Sequence, residues 1–276
     1  MKYPEDCNVN VAKLVESIVF QTREVLAENL VTISLHGSLA MGSYYYPKSD
    51  VDILVVVNGA LSSELRRSYF QVLKDISSSR ETVGDVELTV LQVKSLEYTS
   101  ISVPFEVHFS ESQKEKMDSI DFSMNSTDSD LPAHLMVAYH RGITLFGQKL
   151  SDLMNEPSWD LYRKSVQDDL EWILSRENIL DTPFYSILNC CRSYLLFVKN
   201  ENRIYSKEEG AIKVQCLLPS IRDMIQKGLD AYRSDKPVSI QARRVNSQNW
   251  DQQDLLEFRD YFRSVFAKHG MVLNIE

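Results

Sequence analysis

Apolar residues recur at helical spacing through Val11, Leu14, Val15, Ile18, Val19, Val25 and Leu26, which predicts a first amphipathic helix capped by Asn8 or Asn10. The period then changes. Residues 30–35 and Val51–Val57 are apolar and rich in β-branched side chains, so they read as two strands, with the Gly37-Ser38 turn and a short helix over 40–45 between them. Asn58-Gly59 ends the second strand, and Ser62 or Ser63 can cap a helix running to about Ile76. A third strand is predicted over 85–93 after Gly84, and 105–109 can add a fourth. The stretch 118–130 is rich in Ser, Asp and Asn with little periodicity, and reads as an interdomain linker. Beyond it the spacing is helical over 131–145, 159–178, 183–199, 207–218, 219–233 and 251–268, with Pro183 where a first-turn proline is tolerated. No comparable β-rich run follows the linker. The pattern therefore predicts an α+β chain: a mixed-sheet domain over 1–125 and an all-helical domain over 126–276.

Composition narrows the class. The chain has 276 residues, 43% of them hydrophobic and 25% charged, which suits a globular protein with a sizeable core and excludes disordered and fibrous classes. A net charge of −9 with no basic run counts against a nucleic-acid partner and favours small or cationic substrates. Cys7, Cys190, Cys191 and Cys216 form no CxxC pair and no metal-ligand spacing, so they read as reduced core thiols. The amino terminus lacks a secretory pattern and no run is long and apolar enough to span a bilayer, so a cytoplasmic protein without a membrane partner is expected. The Asn125-Ser126-Thr127 sequon is then accidental.

The chemistry concentrates in 33–57, ISLHGSLAMGSYYYPKSDVDILVVV. Side chains alternate along a strand, so Asp50 and Asp52 share one face while Val51, Ile53, Val55 and Val57 can face a core. Two carboxylates about 6–7 Å apart at their Cα atoms repel unless a cation joins them. Hard oxygen donors suit Mg²⁺, which completes its shell with water and nucleotide phosphates. Gly37 and Ser38 lie between a predicted strand and a predicted helix, where backbone N–H groups and a hydroxyl can meet a phosphate. Glu87, in DVELTVLQV, is a third carboxylate able to reach the site, as metal ligand or as general base. Asp85 has the same strand parity but sits at the Gly84 turn, where a solvated carboxylate is expected, and Glu106 reads as structural. Trp159 and Trp172 fall at plausible core positions of helices, and Arg192, on its residues alone, reads as an exposed helical arginine.

Taken together, Gly37-Ser38, the spacer and the Asp-x-Asp at Ser49-Asp50-Val51-Asp52 resemble the motif of the DNA polymerase beta-type nucleotidyltransferase superfamily. Within it the chain resembles the aminoglycoside adenylyltransferases that modify streptomycin and spectinomycin. The resemblance spans nearly the whole sequence, through HGSLAMGSYYYPKSDVDILVVV, the ELTVL strand, HLMVAYHRGITLFG and the segment 189–219. It implies that Asp50 and Asp52 bind Mg²⁺, that Glu87 is the catalytic base and a possible further metal ligand, and that ATP is the co-substrate. Gly37, Ser38 and Ser49 fall at nucleotide-handling positions of that motif. Arg192 and Lys207 match family residues that contact the ATP phosphates, and Tyr232 matches, with a one-residue slip, a tyrosine beside the nucleotide. The helical domain would then close the cleft for ATP and acceptor.

The implied acceptor is a small cationic or polyhydroxylated molecule, held by a monomeric enzyme. Ser112 stands where streptomycin-modifying members carry a tryptophan, which favours spectinomycin over streptomycin. Glu111, Glu177 and Asp181 are acidic residues available to such an acceptor. Alternatives are a nucleotidyltransferase for another small molecule such as a lincosamide, an enzyme acting on RNA or a protein side chain, and a regulator that binds ATP without transferring it.

Overall fold

The computed structural model describes residues 7–46, 49–81, 84–234 and 249–274, and the chain divides into two compact units between Leu161 and Tyr162. In the first, α1 (Val9–Leu26) is capped by Asn8, whose side chain accepts from the Asn10 N–H at 2.8 Å. Then come β1 (Leu30–His36), the single turn α2 (Gly37–Ala40), β2 (Val51–Val57), α3 (Ser63–Ser78) and β3 (Val86–Gln92). The unit continues with β4 (Val103–Phe105), β5 (Val107–Phe109), α4 (Glu111–Lys114), β6 (Ser126–Asp128), α5 (Leu131–Arg141), β7 (Ile143–Gly147) and α6 (Leu150–Leu153). The main sheet runs β5-β3-β2-β1-β7, and β4 pairs separately with β6. Among the described residues only β2 and β3 pair in parallel, joined through α3, so the sheet is mixed.

β2 is central and buried on both faces, which explains its near-continuous apolar run. Val51, Ile53, Val55 and Val57 pack with the apolar stripes of α1 and α3, whereas Leu54 and Val56 face Leu131, Leu135 and Ala138 of α5. The alternation that sends Leu54 and Val56 toward α5 also assigns Asp52 to that face, at the end where polar residues replace the core.

Several expected elements differ. The predicted helix over 131–145 ends at Arg141, and Ile143–Gly147 becomes an edge strand on β1, with Thr32 Oγ1 donating to the Phe146 and Gln148 carbonyls at 2.7 and 2.6 Å. Its β-branched and aromatic composition suits that half-buried edge. The expected linker, 118–130, is part of the first unit: Phe122 is buried in the core and β6 pairs with β4. Residues 126–161 therefore pack with the sheet, and the division into units falls at 161/162 rather than 125/126. The helical turn expected over 40–45 lies at Gly37–Ala40.

The fourth strand is broken in two at Glu106, whose carboxylate is buried and accepts from Arg66 Nη2 at 2.8 Å, Arg66 Nε at 3.1 Å and the Leu61 N–H at 2.8 Å, with Gln92 on its other oxygen. Arg66 also donates to the Met124 carbonyl at 2.9 Å, which pins the 122–125 stretch. Neutralising one member leaves a buried cation uncompensated. Glu106→Gln is expected to lower unfolding free energy by about 3 kcal/mol in a urea titration; a change below about 0.5 kcal/mol would show that the pair is not structural.

In the second unit, α7 (Trp159–Ile173), whose first turn spans the division, precedes α8 (Arg176–Asp181), α9 (Pro183–Ser193), α10 (Lys207–Leu217), α11 (Arg222–Arg233) and α12 (Gln252–Lys268). The helix predicted over 159–178 is split because Ser175 caps α8, accepting from the Asn178 N–H at 3.2 Å. α9 is the central element, contacting α8, α10 and α11, and Gly228 lets α11 approach Ile187 closely. After α9 the backbone widens into a π-helical turn over Tyr194–Val198, with the Lys199 N–H donating to the Tyr194 carbonyl at 3.1 Å. Cys190 and Cys191 are buried and their thiols are pushed upward by burial, but Cys7 is half-buried and Cys216 exposed, so not all four thiols lie in a core. Trp172 is 46% exposed and meets Tyr185 edge-on, against the core position expected for it; Trp159 is half-buried beside His140. Among the described residues no helix is long and apolar enough to cross a membrane.

Candidate active site

Three strands bring the carboxylates together. His36 of β1 is the Cα partner of Asp52 on β2, and Asp52 is the partner of Glu87 on parallel β3, so the three residues form one row across the sheet. Adjacent strands lie about 4.8 Å apart, which puts Asp52 and Glu87 within reach of one ligand. Asp50 precedes β2 by one residue, half-exposed like Asp52, and its Oδ1 accepts from the Asp85 N–H at 2.7 Å.

Gly37 closes the near side of this row. It has φ +65, and a β-carbon placed on it would overlap Asp52 Oδ2 and stand 2.7 Å from Asp52 Cγ. Only glycine allows both the left-handed backbone and that approach. Ser38 is half-buried, with its carbonyl accepting from the Ser43 N–H at 2.9 Å. Ser49 is buried at the far end of the spacer, where its Oγ accepts from the Tyr45 N–H at 3.0 Å and its own N–H donates to the Tyr45 carbonyl at 3.1 Å. These bonds hold Ser49, which fixes the entry of Asp50 and Asp52 into β2. The Tyr44 hydroxyl is buried here, and burial followed by the charges of Asp50, Cys7 and Asp52 pushes its phenol upward.

Around Glu87 lie three histidines that the sequence reading left out. His134 of α5 has Nδ1 3.8 Å from Glu87 Oε1, and its ring meets that of His36 edge-on at 5.3 Å. His108 of β5 shares a 3.0 Å hydrogen bond with Thr89 Oγ1, two residues along β3 from Glu87. Burial, reinforced by His134, drives His36 well below the ordinary histidine value; burial also lowers His108, against the pull of Glu87 and Asp128. Both rings are therefore neutral at neutral pH, and the site keeps its acidic character. The available signals were local: His36 directly precedes Gly37, and His108 alternates with Val107 and Phe109.

Asp85 is not the solvated carboxylate its place beside Gly84 suggests. It is buried, with Arg80 Nη1 3.3 Å from Oδ1. Glu106 stays on Arg66, away from the row.

Among the described residues no three His, Cys, Asp or Glu side chains form a ready-made metal cage. The donor set nonetheless fits Mg²⁺: two carboxylates on one strand face, a third on the adjacent strand, and a glycine whose missing side chain leaves room for the Asp52 carboxylate. Mg²⁺ is bound through one or two carboxylates plus water and substrate phosphates rather than by an all-protein cage.

In the second unit Arg192 projects from α9, half-buried rather than exposed, and its Nη2 donates to Asn189 Oδ1. Gly210 of α10 lies against it: a β-carbon there would be 3.0 Å from Arg192 Cγ. Lys207 is the first residue of α10, after a capping box of Ser206 and Glu209. A cation is disfavoured at a helix amino terminus. Here its Nζ lies 4.9 Å from the Tyr185 ring centre and 5.7 Å from that of Tyr232, faces that attract it. Tyr232 stacks on Phe184 at 6.2 Å. The fold thus brings Lys207 and Tyr232 together. Of the acceptor candidates, Glu111 is half-buried, while Ser112, Glu177 and Asp181 are exposed.

Comparison with known proteins bears on both units. Residues 153–261 match the family described as aminoglycoside adenylyltransferase, C-terminal domain. A spectinomycin 9-adenylyltransferase of Staphylococcus aureus is 27% identical over 222 residues, covering 78% of this chain and 83% of the relative. One from Campylobacter jejuni is 25% identical over 167 residues, covering 58% of this chain and 63% of the relative. The fold matches the crystal structure of spectinomycin adenyltransferase AAD(9) from Enterococcus faecialis with ATP and spectinomycin, with a TM-score of 0.75 and 20% identity, over 93% of this chain and 99% of that one.

Proposed function

Because this chain belongs to the aminoglycoside adenylyltransferase family, we propose that it transfers AMP from ATP, with Mg²⁺, to a hydroxyl of an aminoglycoside-type antibiotic, spectinomycin ahead of streptomycin, and so confers resistance. The observation that carries this reading is the row Asp52–Glu87 across the parallel β2–β3 pair, with the Gly37 backbone in close approach to the Asp52 carboxylate.

Asp50 and Asp52 hold Mg²⁺ through their carboxylates. With Mg²⁺ held there, those carboxylates would place a Lewis acid against the phosphates, which would supply charge neutralisation at the α-phosphate and at the pyrophosphate leaving group. Glu87 takes the proton of the acceptor hydroxyl, whose oxygen attacks the α-phosphorus in line as pyrophosphate leaves. The Gly37 and Ser38 backbone and the Ser38 and Ser49 hydroxyls orient phosphate oxygens, and a guanidinium at Arg192 and an ammonium at Lys207 offset the triphosphate charge. Tyr232 offers a ring beside the nucleotide. Much of the acceleration comes from positioning and charge neutralisation. The preference for spectinomycin rests on exposed Ser112, which gives no aromatic platform of the kind implied for streptomycin. The protein works as a cytoplasmic monomer.

Incubation with ATP, Mg²⁺ and a panel of spectinomycin, streptomycin, kanamycin-type aminoglycosides and lincosamides tests the acceptor by mass spectrometry. Adenylylated spectinomycin, formed faster than any streptomycin product, is the expected result. Modification of a lincosamide alone would overturn the acceptor assignment.

A further inference from the structure

Asp85 takes no part in the reaction just described, yet it is buried and three groups converge on one of its carboxylate oxygens. Ser77 Oγ donates to its Oδ1 at 2.8 Å, Arg80 Nη1 is 3.3 Å from that oxygen, and the Val86 N–H donates to it at 2.8 Å. Arg80 also donates from Nε to the Gly84 carbonyl at 2.9 Å and from Nη1 to the Ser77 carbonyl and hydroxyl at 2.7 Å. The side chains of Arg80 and Asp85 are 7% and 5% exposed. The C-terminal end of α3 is thereby locked to the backbone that enters β3.

The same backbone reaches the carboxylate pair. The Asp85 N–H donates to Asp50 Oδ1 at 2.7 Å, and the Asp85 carbonyl accepts from the Val51 N–H at 2.8 Å. Asp85 thus grips the first aspartate and the residue after it, extending the β2–β3 ladder by one step beyond the Val51–Val86 pair. Resting on the reading of Asp50 as a Mg²⁺ ligand, we propose that Asp85 is its positioning residue. Through Ser77 and Arg80 it sets the 84–86 backbone, whose amide fixes the rotation of the Asp50 carboxylate before any cation arrives. A ligand carboxylate held in this way loses less rotational freedom on binding, and partners of this kind are worth about 10–100-fold in metal affinity.

The test is a Mn²⁺ titration of the whole protein with the unreactive analogue α,β-methylene-ATP, read by water-proton relaxation, beside the urea midpoint of each variant. Asp85→Asn is expected to weaken Mn²⁺ binding about tenfold or more. Ser77→Ala, which preserves the carboxylate and removes little volume, is expected to weaken it by a smaller factor in the same direction. The Mg²⁺ needed for half-maximal turnover should rise by matching factors. A merely structural role would lower the urea midpoint and leave Mn²⁺ affinity within twofold of wild type in both variants, which overturns the proposal. If Asp85 were a direct ligand, Ser77→Ala would leave affinity unchanged or tighter, which also overturns it. Should Asp85→Asn fail to fold, Ser77→Ala decides alone. Asp50→Asn separates the premise: if it retains wild-type Mn²⁺ affinity, the ligand reading of Asp50 falls and the positioning role with it. If it loses that affinity while Asp85→Asn and Ser77→Ala keep it, only the positioning role falls.

Discussion

Gly37→Ala is expected to give a folded protein that transfers AMP at least about 100-fold more slowly than wild type, since displacement of about 1 Å at a reacting centre costs that much. The cause is steric. The added methyl would occupy the place of Asp52 Oδ2 and crowd Cγ at 2.7 Å, so either the carboxylate rotates away from the Asp50–Glu87 side or the α2 turn retreats. The backbone at φ +65 adds a folding cost of about 1–2 kcal/mol, small enough to leave most molecules native. Asp52→Asn should lose turnover to at least the same degree with no comparable loss of stability, because it removes the charge without adding volume. Steady-state rates with spectinomycin, alongside circular dichroism and urea midpoints, check the pair. A Gly37→Ala enzyme within a few-fold of wild type would mean that the approach of Gly37 to Asp52 has no bearing on the reaction.

Glu87→Gln is expected to cut turnover by about 10²–10⁴, the range for loss of a general base, while ATP still binds. Glutamine preserves the shape, and the packing of Leu88 and Val90 beneath it is untouched. The same variant separates the two roles open to Glu87. A base alone predicts unchanged Mn²⁺ affinity for the nucleotide complex, and a base that also ligates metal predicts that affinity falls together with turnover. Calorimetric ATP binding and single-turnover rates provide the measurements. Undiminished single-turnover chemistry would remove Glu87 from the base role.

Much of this site was legible in the sequence because strands have a period of two. Asp50 and Asp52 on one side of an apolar strand, and Glu87 at the start of another, needed only alternation to be picked out. That Asp52 and Glu87 face each other is a matter of register between strands separated by α3, which no local pattern records. Strand β7 was hidden for a related reason: 131–145 carries helical spacing through Leu131, Leu135 and Ala138, and the switch after Gly142 is short. Asp85 was misread because Gly84 signals a turn and turns are usually wet. Its burial depends on Arg80 reaching back from the end of α3. His36 and His108 carry only local signals, and none of these links them to Glu87; the sheet and α5 gather them and His134 around it. In the second unit, the closeness of Lys207 and Tyr232 follows from helix packing, and sequence alone marked them only through the family resemblance.

The proposed adenylyl transfer requires that the bond broken in ATP lie between the α- and β-phosphates and that the acceptor take the α-phosphorus. The direct measurement is transfer of label from ATP radiolabelled at either the α- or the γ-phosphate, with spectinomycin as acceptor. The α-label is expected to enter the antibiotic while γ-label leaves as pyrophosphate, and both processes are expected to stop in Asp52→Asn. Entry of γ-label into the acceptor, or ATP binding with no label transferred to any aminoglycoside, would contradict it.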